Sequence, residues 1–178
     1  NASNQETTEI IGRKLIRTIN IEAETKDLDA LMADLDAQLA ALGGYVQNKQ
    51  IEGSASENTQ RYASMTLRIP AEKLDQFIGH MAGATNVLSS GETTEDVTLK
   101  FIATESRIAA LEAEEARVME LIAKAENISE LLVLESKLSD IRQELEEVKS
   151  RLKLYENLVD YGTVYLDITE KQVYTVVD

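Results

Sequence analysis

The chain has no cysteine and no tryptophan, and it has one proline and one histidine in 178 residues. The absence of cysteine excludes disulfides, thiolate metal sites and cysteine nucleophiles. A single histidine cannot supply the usual ligand set of a protein zinc site. Since the chain also has only two phenylalanines, its core must be built from aliphatic side chains.

Positive charge is also scarce, because 18 lysines and arginines face 32 aspartates and glutamates, giving a net charge of −14. Proteins that bind nucleic-acid duplexes displace counterions from the phosphates with lysine and arginine. No basic block or stripe occurs in this sequence, so we expect no nucleic-acid partner. Binding to an anionic membrane surface is disfavoured for the same reason.

Long apolar runs are missing as well. No segment approaches the roughly 20 apolar residues that a helix needs to span a bilayer, and no signal peptide is recognisable. Residues 1–12 are polar and lack periodicity, so we expect a flexible N-terminal segment there.

Four segments in the first hundred residues show the alternation that is typical of strands with one wet face. The four segments, of which the last is the weakest, are 13–25, 45–53, 59–70 and 86–99. A turn of small polar residues at 54–58 makes the middle two strands a hairpin. In the third strand we expect Arg68 to point outward and four apolar side chains to point inward, namely Ala63, Met65, Leu67 and Ile69.

Two helical repeats lie between these strands. Asp27 is placed to cap the first helix and Gly43 to end it, whereas Pro70 opens the second and Gly83 is expected to end it. Their apolar faces join the core of the strands through Leu31, Leu35, Leu39, Phe77 and Ile78. The order β-α-β-β-α-β predicts an α+β fold, a ferredoxin-like split βαβ sandwich with an antiparallel sheet.

Residues 100–159 carry two long helical repeats whose apolar residues recur with 3-4 spacing, which is typical of a coiled coil. The second repeat is unbroken, whereas the first has Thr104 and Glu115 at core-type positions. Such polar residues can set the register or mark a partner site. They also occur where two helices splay apart, and the sequence favours this interpretation.

The two long helices are expected to form an antiparallel hairpin. Asn127–Ser129 is the predicted turn, with Ser129 as the cap of the second helix. Near this turn, the apolar residues of the first helix should pack against those of the second, which brings together Val118, Ile122 and Ala125 with Leu131, Leu134, Leu138 and Ile141.

A final strand pattern follows the hairpin, with Val164, Leu166 and Ile168 on one face. This strand lets the chain rejoin the sheet, so the hairpin is an insertion that projects from the sandwich. The predicted organisation is a flexible segment at 1–12, an α+β sandwich at 13–99 plus 160–172, and a coiled-coil hairpin at 100–159.

Two stretches carry a family resemblance: "LRIPAEKLDQF", which begins at Leu67, and "ELLVLESKLSDIRQELEEVKSRLKLYENLVDYGTVYLDI", which begins at Glu130. With them the chain resembles the bacterial domain-of-unknown-function family 4349 over residues 13–170. The resemblance implies an extracytoplasmic, cell-envelope protein, tethered by a lipoprotein signal before the domain or by a transmembrane helix after it. The family has no established activity, so no functional residue is carried over.

The sequence offers few candidates for chemistry. His80 has no nucleophile-elbow or glycine-rich phosphate motif beside it, so a structural role near a helix end is expected. Adjacent carboxylates need a pocket that separates their pKa values before they can work as acid and base. We therefore expect solvated side chains at Glu95–Asp96, Glu114–Glu115 and Glu146–Glu147. The segment Ser90–Asp96, "SGETTED", is expected to be an ordinary polar connection rather than a binding loop. We predict no catalytic, cofactor-binding or metal-binding residue and no cofactor.

The sequence is compatible with three functions. The favoured one is a non-enzymatic interaction or scaffold module of a membrane-tethered, extracytoplasmic protein, which binds a protein partner through the hairpin or the open sheet face. The second is a cytosolic chaperone-like or assembly protein that uses the hairpin. The third is an enzyme with an unfamiliar site. Contact with the membrane is expected only through the tether, and a homodimer is left open.

Overall fold

The computed structural model describes residues 12–54 and 60–171. Most of the predicted flexible segment, residues 55–58 of the predicted turn and residue 172 therefore lie outside the described residues. The described chain divides into two compact units. We call them the sheet unit, which contains residues 16–54, 60–95 and 158–171, and the helix-pair unit, which contains residues 12–15 and 96–157.

Within the described ranges the chain forms five strands and four α-helices. The strands are β1 (Leu15–Thr25), β2 (Tyr45–Glu52), β3 (Tyr62–Pro70), β4 (Asn86–Asp96) and β5 (Tyr161–Glu170). The helices are α1 (Leu28–Leu42), α2 (Leu74–Ala84), α3 (Thr98–Ala123) and α4 (Ile128–Asp160), and a single 3-10 turn at Ala71–Lys73 precedes α2. No helix in these ranges has both the length and the apolar character of a membrane span.

The sheet is mixed, with the strand order β2-β3-β5-β1-β4. β5 runs antiparallel to β3 and parallel to β1, with Ile21 opposite Leu166. The prediction of an antiparallel sheet was therefore wrong. Parallel neighbours need a long connection, and the chain supplies one because residues 26–160 separate β1 from β5.

The core of the sheet unit lies between one face of the sheet and the helices α1 and α2. Alternate residues of β1, β3 and β5 meet in rows across the sheet, and Ile19, Val164 and Leu67 form one such row. The predicted core is confirmed. Only Ile78 is partly buried, whereas the other predicted residues are buried, namely Leu31, Leu35, Leu39, Ala63, Met65, Leu67, Ile69 and Phe77.

Both ends of α1 lie where the sequence predicts them, whereas the C-terminal end of α2 does not. Asp27 accepts a hydrogen bond from the Ala30 N–H at 3.0 Å, and Gly43 closes the helix with a left-handed φ of 78°. Gly83 does not end α2, so that prediction was wrong. The helix runs to Ala84, because Thr85 closes it through backbone and hydroxyl hydrogen bonds to the Met81 carbonyl at 3.0 and 2.8 Å.

In the helix-pair unit, α3 and α4 share one apolar cluster of Leu111, Val118, Ile141, Leu145 and Val148, with Ile108, Ile122, Leu134 and Leu138 partly buried around it. Arg107 pairs with Glu144 on α4, and Glu114, which lies further along α3, pairs with Lys137. The partner positions fall along α4 as they rise along α3, so the two helices run antiparallel.

The turn between these helices differs from the prediction in its cap. Asn127 Oδ1 accepts a hydrogen bond from the Glu130 N–H at 2.9 Å, and α4 already begins at Ile128. Ser129 is therefore inside the helix and is not its cap. Asparagine is as effective as serine at an N-cap, so Asn127 can take this position at no loss of capping strength.

Both polar residues at core-type positions of α3 have partners within the helix-pair unit. Thr104 is buried, and its hydroxyl donates to the Lys100 carbonyl at 2.7 Å. Glu115 is half-buried, and its Oε2 lies 3.7 Å from Arg142 Nε. The hydrogen bond of Thr104 and the ion pair of Glu115 lower the cost of burying these polar groups.

Two further expectations need correction. Arg68 lies on the polar side of β3 as predicted, but it is only 4% exposed, and its Nη1 donates to Thr163 Oγ1 on β5. The segment Ser90–Asp96 is not a connection, because it forms the second half of β4.

β4 is an edge strand, and polar residues on both sides of an edge strand are compatible with its exposure to water.

Candidate functional site

The sheet unit has one face that α1 and α2 do not cover, and we call it the polar sheet face. Residues directly opposite each other on paired strands lie on the same side of a sheet. The strand register therefore places Asn20, Tyr165, Thr66 and Asn48 in one row, and Glu22, Asp167, Ser64 and Gln50 in the next. Rows at the two ends add Tyr45, Glu52, Tyr62, Arg68, Thr163 and Thr169.

Three tyrosines are exposed on the polar sheet face: Tyr45 at 45%, Tyr62 at 39% and Tyr165 at 47%. Tyr45 also meets Tyr161 edge-to-face, with the ring centroids 5.9 Å apart. Large exposed rings on rigid strands are well suited to contact another molecule, because little side-chain entropy is lost when they are covered.

The charge on this face is negative. Glu22 and Glu52 are exposed and Asp167 is half-exposed, whereas Arg68 is buried. The Asp167 Oδ1 accepts a hydrogen bond from the Tyr62 hydroxyl at 2.8 Å, and this bond to the carboxylate raises the pKa of Tyr62. The Tyr62 hydroxyl therefore stays protonated over the physiological pH range and keeps its role as a donor.

The turn of the helix-pair unit forms a second candidate surface, which we call the hairpin tip. A groove of about 560 Å³ there is lined by four apolar residues, one serine and two charged residues, namely Leu121, Ala125, Val133, Leu134, Ser129, Lys124 and Glu130. Leu121 is 53% and Val133 is 69% exposed. Ile128 and Leu132 on the first turns of α4 are 75% and 61% exposed, but they do not line this groove. These apolar side chains lie outside the shared cluster of the two helices.

A third feature is a groove of about 900 Å³ between α1 and α2 in the sheet unit. His80 lines it, and its Nε2 lies 2.6 Å from Asp34 Oδ2, so His80 joins α2 to α1. At Gly79 and Gly83 a side chain would meet no atom within 4 Å. The groove is therefore open along its α2 wall, and the His80–Asp34 pair has a structural explanation.

The other acidic candidates from the sequence are dispersed. Glu114 lies 3.5 Å from Lys137 across the helix pair, Glu146 and Glu147 are exposed on α4, and Asp96 accepts the Thr98 N–H at the start of α3. Among the residues that the structure describes, no three His, Cys, Asp or Glu side chains come together as a metal site would require.

Sequence reasoning named the open sheet face but gave its tyrosines no role, and it did not single out the exposed apolar residues of the hairpin tip. The signals were present in both cases. Tyr62 and Tyr165 occupy outward positions of alternating strands, and the run "ELLVLE" from Glu130 carries more apolar residues than one helix stripe can bury.

The fold and these surfaces define the class of the protein: an α+β domain with a mixed sheet, two covering helices and a long antiparallel helix pair. Within that class the chain belongs to the domain of unknown function family DUF4349, whose family model matches residues 13–178. The resemblance read from the sequence is thereby confirmed. No curated protein and no solved structure matches the chain.

Proposed function

We propose that this chain is a non-enzymatic interaction module of a membrane-tethered, extracytoplasmic protein, and that it binds a protein partner through the polar sheet face. One observation carries the proposal: Tyr45, Tyr62 and Tyr165 are exposed together on a face that is otherwise polar. Tyrosine is enriched in protein interfaces, where its ring supplies contact area and its hydroxyl a hydrogen bond.

The charge of the face specifies the kind of partner. Glu22 and Asp167 occupy the row between Tyr165 and Tyr62, and Glu52 lies opposite Tyr62. The chain as a whole carries a net charge of −14. A partner surface with lysine and arginine at its rim would be attracted at long range and oriented on docking. Such a partner would also place cationic groups over the tyrosine rings, which favour them.

The sheet unit can serve as a rigid platform for this interaction. We propose that β1 to β4 with α1 and α2 form a ferredoxin-like split βαβ arrangement into which β5 is inserted. The support is the strand order, because removal of β5 leaves β4-β1-β3-β2. We also propose that the chain is divided into a sandwich at 13–99 plus 160–172 and a hairpin at 100–159.

We further propose that α3 and α4 form a coiled coil. The buried residues support this, since Leu111 and Val118 on α3 lie one heptad apart. On α4, Ile141, Leu145 and Val148 keep the alternating spacing of four and three.

The proposed location rests on the family resemblance alone. The alternative, a cytosolic chaperone-like or assembly protein, is favoured by one observation, namely the apolar side chains exposed at the hairpin tip. The gene regions that flank this sequence separate the two, because a lipobox or an apolar span supports the tethered protein.

Photo-crosslinking in cells tests the surface. A photoreactive phenylalanine analogue at Tyr165 should give a discrete adduct with a partner. The same analogue at Ala33, which is exposed on α1, should not give it. The combined substitutions Glu22→Gln and Glu52→Gln should weaken the Tyr165 adduct, and added salt should weaken it further because exposed charges are screened. An adduct that also forms from position 33, or that ignores both changes, refutes the proposal.

A further inference from the structure

The hairpin tip presents apolar surface that the helix pair itself does not use. Leu121 and Val133 line its groove while remaining 53% and 69% exposed. The apolar cluster between α3 and α4, to which Val118 belongs, does not include these exposed side chains. Apolar patches of this kind mark contact surfaces.

We propose that the hairpin tip binds the hairpin tip of a second copy of this chain. The first reason is its charge pattern. The groove carries Lys124 from the end of α3 and Glu130 from the start of α4. In a two-fold contact the same patch faces itself, so each residue can meet a different residue of the other copy.

Across such a two-fold axis, Lys124 of one copy faces Glu130 of the other, and the reciprocal pair forms at the same time. The patch is thus complementary to itself. A partner surface of uniform charge would gain an attraction at one of these residues and a repulsion at the other.

The second reason is the exposure of the groove wall. Leu121 and Val133 line the groove from α3 and α4 and are 53% and 69% exposed, so a second copy can cover both at once. Because two apolar side chains per copy make a small contact, below the size of a standard interface, we expect a reversible dimer of modest affinity.

Charge exchange at the tip tests this arrangement by sedimentation equilibrium of the full chain. Lys124→Glu alone and Glu130→Lys alone should each weaken self-association by about tenfold or more, because each places like charges opposite each other twice. An equimolar mixture of the two variants should restore it, since every cross-pair is then opposite in charge. Circular dichroism of each variant checks that the helices remain intact.

Leu121→Ser combined with Val133→Ser should abolish the dimer, whereas Leu154→Ser, an equally exposed residue of α4 at 56%, should leave it unchanged. A chain that is monomeric at roughly 1 mM refutes the proposal. So does a dimer that the mixture fails to restore, or one that Leu154→Ser weakens as much as the tip variants do. The proposed partner of the polar sheet face is unaffected by any of these outcomes, because the two surfaces share no residue.

Discussion

Arg61 and Glu170 form a two-point ion pair, with Nε 2.9 Å from Oε1 and Nη2 2.7 Å from Oε2. The same Oε2 accepts the backbone N–H of Leu28, the first residue of α1, at 2.8 Å. The hydrogen bond from Arg61, reinforced by that of Leu28, holds the pKa of Glu170 below its usual value. One carboxylate thus ties β5 to the start of α1.

Glu170→Gln should lower the free energy of unfolding by about 1–3 kcal/mol at neutral pH, because charge-assisted hydrogen bonds are lost. The pKa of Glu170 is lower in the folded state, so its stabilising contribution is present above the unfolded value of about 4.5 and is lost as the pH falls through the folded value. Urea denaturation at neutral pH and near pH 3 should show that the difference between variant and parent shrinks in acid. A difference that is equal at both pH values contradicts this account, and Glu72→Gln, at an exposed position, serves as the control.

Leu67→Ala should cost roughly 2–5 kcal/mol of stability, because Leu67 is fully buried between the sheet and its covering helices. Leu88→Ala on β4 is the matched control, since Leu88 is 59% exposed and its loss should change stability by less than about 0.5 kcal/mol. Equal effects in chemical denaturation would show that the register of β3 is wrong.

Gly162→Ala should destabilise the sheet unit by about 1–3 kcal/mol, since a side chain at this position would overlap with that of Leu74 on α2. Shortening Leu74 in the same chain should relieve the overlap, so the double variant should lose less than the sum of the single losses. Gly83→Ala is the control, because a Cβ there meets open space, and this change should raise stability by about 0.5–1 kcal/mol. Additive losses at positions 162 and 74 would contradict the proposed contact.

Cysteines introduced at Val118 and Leu138 should cross-link within one chain, because both side chains belong to the contact between α3 and α4. The chain has no natural cysteine, so the two labels are unambiguous. Non-reducing electrophoresis separates monomers with an internal bond from linked dimers, and the single-cysteine variants are the controls. Bonds found only between chains would mean that α3 and α4 pack against other molecules.

Thermal unfolding with EDTA should give the same Tm as unfolding without it, to within about 1 °C. The basis is the lack of cysteine and the single histidine. Scanning calorimetry of the protein with and without the chelator is the measurement, and a large drop in Tm would reveal a metal site.

Local patterns predicted the elements well because the cause of each element is local. Ala63, Met65 and Leu67 alternate along β3, and Asp27 can cap α1 whatever surrounds it. The place of β5 in the sheet was not predictable in this way. Val164 of β5 pairs with Ile19 of β1, which is distant in the sequence. The alternation of apolar residues predicts which face of a strand is buried, but it does not predict the direction of the neighbouring strand.

The candidate surfaces were predictable only in part for a similar reason. The outward positions of β3 and β5 follow from alternation, but the meeting of Tyr62 with Asp167, and of Arg68 with Thr163, depends on a register fixed by distant strands. At the helix turn, Asn127 and Ser129 are both good caps, and the choice between them depends on where the antiparallel helices meet.

The position of β5 between β3 and β1 has a consequence for synthesis on the ribosome. β1 and β3 leave the exit tunnel long before β5, and both then have an open edge on the side where β5 will lie. They run in opposite directions, since β5 is parallel to one and antiparallel to the other, so the nascent chain can join them to each other directly. Completion of the native sheet then requires that any such early pairing be prevented or undone, so we expect the insertion of Tyr161–Glu170 to be a late and slow step in the folding of the chain.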